Sequence, residues 1–168
     1  MHADDAGFAI NCRMPEINVS VLFKSPPEAV FAALTDHVHF FQGKHMACRL
    51  LQEGDSDANG LGTVREIRSG AFVFVEAVTR FDRPSGFDYL VSSLRHASGL
   101  KLPFRHQRGW LELIAEDGGT RVVWRSRFTV AVPVLGRLLE KRFAEVAGRG
   151  FEKLLLAARY RLDPAATA

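Results

Sequence analysis

Two short stretches hold the residues best suited to chemistry in this chain: Val64-Arg65-Glu66-Ile67 and Val75-Glu76-Ala77-Val78. Both read as strands, because β-branched residues and alternation favour extended backbone. A carboxylate set among apolar side chains is desolvated, and its pKa rises unless a cation pairs with it. Glu76 therefore has three readings. It orients a ligand hydroxyl, it acts as acid or base in an aldol-type cyclisation or dehydration, or it simply satisfies Arg65. Tyr89 and Gln107 are further candidate hydrogen-bonding groups, with local core partners as the plainer alternative.

Side chains alternate faces along a strand, so parity sorts these residues. Ser69-Gly70 reads as a tight hairpin that sets Arg68 against Ala71, Ile67 against Phe72 and Arg65 against Phe74. One face then carries Arg65, Ile67, Phe74, Glu76 and Val78, with Arg65 and Glu76 diagonal to each other and within ion-pair reach. The other face carries Val73, Val75, Ala77 and Thr79 and competes for the core. Across the next turn Val78 opposes Tyr89 and Glu76 opposes Val91. A turn at Glu116-Asp117-Gly118-Gly119 pairs Leu113 with Val122, Leu111 with Trp124 and Gly109 with Ser126. Val122, Trp124, Ser126, Phe128 and Val130 then face inward together with Gln107, while His106, Arg108, Trp110, Glu112, Arg121, Arg125 and Arg127 face outward.

The elements that must position these residues follow from punctuation. A strand at Glu16–Lys24 runs into Ser25-Pro26-Pro27-Glu28, a capping-box arrangement that opens a short helix. A second short helix covers Asp36 to Phe41. Six more strands follow, and Pro133 stops the last of them. The chain then forms one long amphipathic helix to Leu162, with Leu135, Leu138, Leu139, Phe143, Val146, Phe151, Leu154, Leu155 and Ala158 on its apolar side. Gly148 and Gly150 each weaken that helix by about 1 kcal/mol relative to Ala. They either open room for a ligand or pack closely on the sheet. The fold class is α+β. One long helix against one curved antiparallel sheet encloses a hollow, with Phe143, Val146 and Gly150 as its helical wall.

At 168 residues the chain suits one domain, read as 15–163 with a loose arm at 1–14 and a tail at 164–168. Thirteen Phe against two Trp and two Tyr favour a greasy interior that needs no hydrogen-bond partners. A net charge of +3 is too mild, without a basic stripe interleaved with aromatics, to argue for nucleic acid. Cys12 and Cys48 form neither a zinc pattern nor a disulfide framework. His37, His39 and His45 lie near Cys48, but a spacing of two points side chains to different sides of a helix, and no metal or other cofactor is expected. No run of about 18 apolar residues spans a membrane, and no signal peptide is visible, so a cytoplasmic location is the expectation.

The order of these elements resembles the START-like, or SRPBCC, superfamily. The resemblance covers roughly 16–162. It rests on Ser25-Pro26-Pro27-Glu28-Ala29-Val30-Phe31, the Leu34-Thr35-Asp36 helix end, Gly60-Leu61-Gly62-Thr63-Val64-Arg65-Glu66-Ile67, Glu76 with Phe81-Asp82, Gly119-Thr120-Arg121-Val122-Val123-Trp124, and the long terminal helix. That superfamily includes polyketide cyclase/dehydrase-like and lipid-transfer proteins. It implies a helix-grip fold, in which a seven-stranded antiparallel sheet wraps around the C-terminal helix and two short helices close one end of a hydrophobic cavity. It also implies polar cavity groups on the strands that carry Arg65 and Glu76. Such a fold serves enzymes, carriers and receptors alike.

The leading expectation is a carrier of a hydrophobic small molecule such as a lipid, quinone or polyketide-like compound, in a monomer or weak homodimer. Its wall would be Arg65, Ile67, Phe74, Glu76, Val78, Tyr89, Val91, Gln107, Gly109, Leu111, Trp124, Ser126, Phe128, Phe143, Val146 and Gly150. The alternatives are a cyclase or dehydratase using Glu76 and Arg65, and a protein-interaction module working through the edge from Arg95 to Arg108.

Overall fold

Alternation of apolar and polar residues makes the strands and also tells them which way to face. In the computed structural model, which describes residues 16–164, β1 (Glu16–Phe23) turns Ile17, Val21 and Phe23 inward and leaves Glu16, Asn18 and Leu22 outside. The chain continues through α1 (Pro27–Thr35), α2 (His37–Phe40), β2 (Met46–Gln52), β3 (Val64–Ser69), β4 (Phe72–Asp82), β5 (Gly86–His96), β6 (Phe104–Glu116), β7 (Gly119–Val130) and α3 (Gly136–Leu162). The seven strands form one antiparallel sheet in the order β1-β7-β6-β5-β4-β3-β2. The arm at 1–14 and nearly all of the tail lie outside the described residues.

Tight turns join β3 to β4, β4 to β5 and β6 to β7, and they set the register there. The pairs Val78 with Tyr89, Leu111 with Trp124 and Gly109 with Ser126 are those that parity predicts. The β3–β4 hairpin is different. Its turn residues are Gly70 and Ala71, so Ser69 pairs with Phe72 and Ile67 with Phe74. Gly70 takes a φ of +56°, which suits glycine at a two-residue turn. Arg65 therefore sits directly opposite Glu76 rather than diagonal to it. Both residues face inward, buried at 1% and 5% exposure.

The expected capping box does not form. Pro26 occupies the N-cap of α1 and no side chain caps it. Ser25 instead donates to Asp163 Oδ1 at 2.6 Å, while the Lys24 backbone N–H donates to Asp163 Oδ2 at 2.7 Å. One carboxylate thus fastens the end of α3 to the β1–α1 corner.

The core lies between α1, α2, the C-terminal half of α3 and the concave face of the sheet. Phe23, Phe31, Leu34, Phe40, Leu111, Val122 and Trp124 meet Leu155 and Ala158 of α3 there. The N-terminal half of α3 is not seated this way. Leu138 and Val146 are each 60% exposed, and Leu135 and Leu139 are also exposed, contrary to the uniformly buried stripe that helical spacing predicts. The helix lies against β1 and β7, and its middle turns overhang the part of the sheet that carries Ile67, Phe72 and Phe74.

Candidate functional site

That overhang leaves a cavity of about 200 Å³ between α3 and the sheet. Its walls are apolar residues from every layer: Ile67, Phe74 and Val91 from the sheet, Phe41 and Met46 from the α2–β2 region, and Phe143, Val146 and Phe151 from α3. Phe72 and Val146 both line the cavity and are 41% and 60% exposed, so they mark its mouth. Gly150 also lines it, and a Cβ built there meets nothing within 4 Å. At Gly148 a Cβ would make only ordinary contact with Ile17 Cγ2, at 3.7 Å. Neither glycine is demanded by close packing, and at Gly150 the absent side chain is open cavity.

Five polar residues line the cavity: Ser69, Glu76, Tyr89, His106 and Ser126. Behind Glu76 lies Arg65, whose Nε donates to Glu76 Oε1 at 2.6 Å and whose Nη2 reaches the same oxygen at 2.5 Å. The remaining arm, Nη1, donates to His37 Nδ1. His37 Nε2 in turn lies 3.0 Å from the Asn59 carbonyl, so it carries the proton and donates it. Burial, and then the Arg65 charge, hold the His37 pKa well below its ordinary value, so the imidazole is a neutral acceptor. Phe41, Phe87 and Tyr89 place their rings 5.2–5.7 Å from the guanidinium carbon, where ring quadrupoles stabilise a cation. Arg65 is thus a buried charge with an ion partner, an imidazole and three rings around it. Both bonds to Glu76 fall on Oε1. Glu76 itself forms part of the cavity wall.

The second cluster sits beside it. The Val91 N–H donates to His106 Nδ1 at 3.0 Å, which assigns the ring proton to Nε2. Nε2 then donates to Ser126 Oγ at 3.0 Å. Burial pushes the His106 pKa down to about 4, so this imidazole is neutral too. Trp124 Nε1 donates to Tyr89 Oη at 2.9 Å. Burial, with Glu76 nearby, raises the Tyr89 pKa, so the phenol keeps its proton. The tyrosine ring stacks on His106 at 5.5 Å between centroids. These groups offer hydrogen bonds, but Ser126 is no activated nucleophile, because the imidazole beside it donates rather than accepts.

Several residues expected on the wall stand elsewhere. Gln107 is displaced by a β-bulge between His106 and Arg108, where the register against β7 shifts. The extra residue turns His106 inward opposite Phe128, and Gln107 Nε2 donates to Thr129 Oγ1 instead. Gly109 lies beneath the Tyr89 ring, where an added Cβ would come within 2.1 Å of Tyr89 Cζ. Phe128 sits behind Phe104 and Phe143, while Val78 and Leu111 belong to the closed core. Arg65 supports the wall without forming it. The rest of the expected set, Ile67, Phe74, Glu76, Tyr89, Val91, Trp124, Ser126, Phe143, Val146 and Gly150, borders the cavity.

Parity missed His106, and only the bulge could have revealed it. His37 drew attention as a metal candidate, yet its partner is Arg65. His39 pairs with Asp36 on the surface, and burial pushes the Cys48 thiol up to about 11, away from the thiolate a metal needs. Among the described residues no three metal-ligating side chains converge.

A family model described as polyketide cyclase / dehydrase and lipid transport matches residues 14–160. No curated protein matches the sequence. Among solved structures, a protein of Thermus thermophilus is 20% identical with a TM-score of 0.69, covering 91% of this chain and 100% of that one. A START superfamily protein from Mycobacterium smegmatis is 15% identical with a TM-score of 0.67, covering 90% and 99%. An aromatase/cyclase from Streptomyces sp. R1128 is 15% identical with a TM-score of 0.64, covering 93% and 100%. At these identities the likeness is one of fold, the helix-grip fold.

Proposed function

The chain belongs to the polyketide cyclase/dehydrase and lipid-transport family, and from that premise we propose that its cavity binds a compact hydrophobic molecule bearing one hydrogen-bond donor. The observation that carries this reading is the Glu76 carboxylate, whose bonds to Arg65 both fall on Oε1, on a largely apolar wall. A carboxylate that faces an apolar cavity gains from an added donor, and a ligand hydroxyl supplies one. Size sets the class. A cavity of about 150 Å³ holds a benzene ring, so about 200 Å³ suits one or two fused rings rather than a whole acyl lipid. Phe41, Phe74 and Phe143 supply flat apolar contact for such rings.

The test uses 1-naphthol and naphthalene as probes. Trp124 borders the cavity and Trp110 lies outside it, so Trp110→Phe leaves Trp124 as the fluorescent reporter. Naphthol is expected to quench Trp124 saturably. Glu76→Gln should weaken naphthol about five- to tenfold, the difference between a charged and a neutral acceptor, and leave naphthalene unchanged. Failure of both probes to bind the folded protein overturns the reading.

A second reading, a cyclase or dehydratase, is favoured by one observation: Glu76 is the carboxylate on that wall. It requires turnover of a polyketide-like substrate that Glu76→Gln abolishes with folding intact. Turnover that survives the substitution removes Glu76 as the acid or base.

A further inference from the structure

The cavity mouth lies at one end of the sheet, and four segments meet there. They are the α2–β2 turn at 42–46, the β3–β4 hairpin at 69–72, the β5–β6 loop at 97–103, and the β7–α3 connection with the first turns of α3. Large apolar side chains crowd this end in the open. Val134 is fully exposed, Leu100 is 66% exposed, and Leu135, Leu138 and Phe72 stand beside them. Soluble surfaces rarely gather so many without a partner.

The charges at this end are mostly positive. Lys44, Lys101, Arg105, Arg137 and Lys141 are exposed there and make no ion pair among the described residues. The nearest carboxylates are engaged: Glu140 accepts from the Val130 N–H, and Glu145 meets Arg142. The cations elsewhere on the sheet differ. Arg49, Arg68 and Arg95 share Glu66, and Arg108, Arg125 and Arg127 pair with Asp88, Glu112 and Glu16.

We infer that this end docks on an anionic lipid surface, with the cavity mouth facing the acyl layer. Exposed aliphatic side chains ringed by lysine and arginine are the composition that settles at a bilayer interface. A second copy fits less well, because a twofold contact through this patch sets like charges face to face. Nucleic acid offers phosphates but no apolar layer for Val134, Leu135 and Leu138. An apolar molecule dissolved in the bilayer would then enter past Phe72 and Val146 without crossing water. Docking goes beyond the ligand reading and stands without it, since vesicles with no added ligand measure it.

The experiment is flotation of the full chain with phosphatidylcholine vesicles, with and without phosphatidylglycerol. Binding is expected to the anionic vesicles only, and to fall with added salt. Lys101→Ala and Arg137→Ala should each weaken it about fivefold, as one cation near an anionic surface contributes about that factor. Val134→Asp with Leu138→Asp, both at exposed positions, should abolish it with the melting temperature unchanged. Absence of vesicle binding overturns the inference. So does light scattering that shows a dimer which the aspartate pair dissolves, because the patch is then a contact between copies.

Discussion

The Arg65–Glu76 pair sets two opposite charges inside an apolar interior. Burying two charges is expensive, and the pair is tolerated because each finds its partner at hydrogen-bond distance. Removing one partner strands the other. Arg65→Met is expected to destabilise the protein by about 3–5 kcal/mol, read from the urea midpoint. Arg65→Met combined with Glu76→Leu should recover most of that loss, since no charge is then left uncompensated. Gly109 gives a second test at this scale. Its Cα supports the Tyr89 ring, so Gly109→Ala should cost about 1–3 kcal/mol through overpacking. The inward pair could be read from parity, because Arg65 lies two residues from Ile67 and Glu76 two from Phe74, and those two apolar residues share a face. His106 could not, because a bulge changes parity without leaving a local signal.

At the scale of the element, α3 is two half-helices with different surroundings. Its C-terminal half is held by Leu155, Ala158 and the Asp163 clasp, and its N-terminal half overhangs the cavity. Gly148→Ala should therefore stabilise the protein by up to about 1 kcal/mol, because the helix gains propensity and the new methyl meets only Ile17 at ordinary distance. The clasp predicts a ranking. Asp163→Ala should lose about 1–3 kcal/mol, as two donors are left without an acceptor, whereas Glu28→Ala should change the urea midpoint little. A capping box would reverse that order. The motif at Ser25 was visible in the chain, but its hydroxyl is claimed by a residue 138 positions away, which no local rule can foresee.

For the whole molecule, acidity is the informative variable. His37 and His106 are both neutral in the folded protein, with pKa values depressed by burial. An unfolded chain takes up a proton on each near pH 6.5, whereas folded His106 resists until about pH 4. Stability is thus fully present above pH 6.5 and is lost as pH falls towards 4. The His106 share is on the order of 3 kcal/mol, at 1.36 kcal/mol for each pH unit. Melting temperatures across that window should fall, and His106→Gln should flatten the profile. The chain by itself determined the antiparallel sheet, the two short helices, the long terminal helix and the greasy interior. These follow from alternation, turn residues and periodicity, which act over a few neighbours. The tertiary structure alone decided that Arg65 faces Glu76 directly, that His106 replaces Gln107 on the wall, and that half of α3 stands away from the core. Those outcomes depend on hairpin geometry, a bulge and the fit of distant surfaces, and the energies involved arise only when the whole sheet closes around the helix.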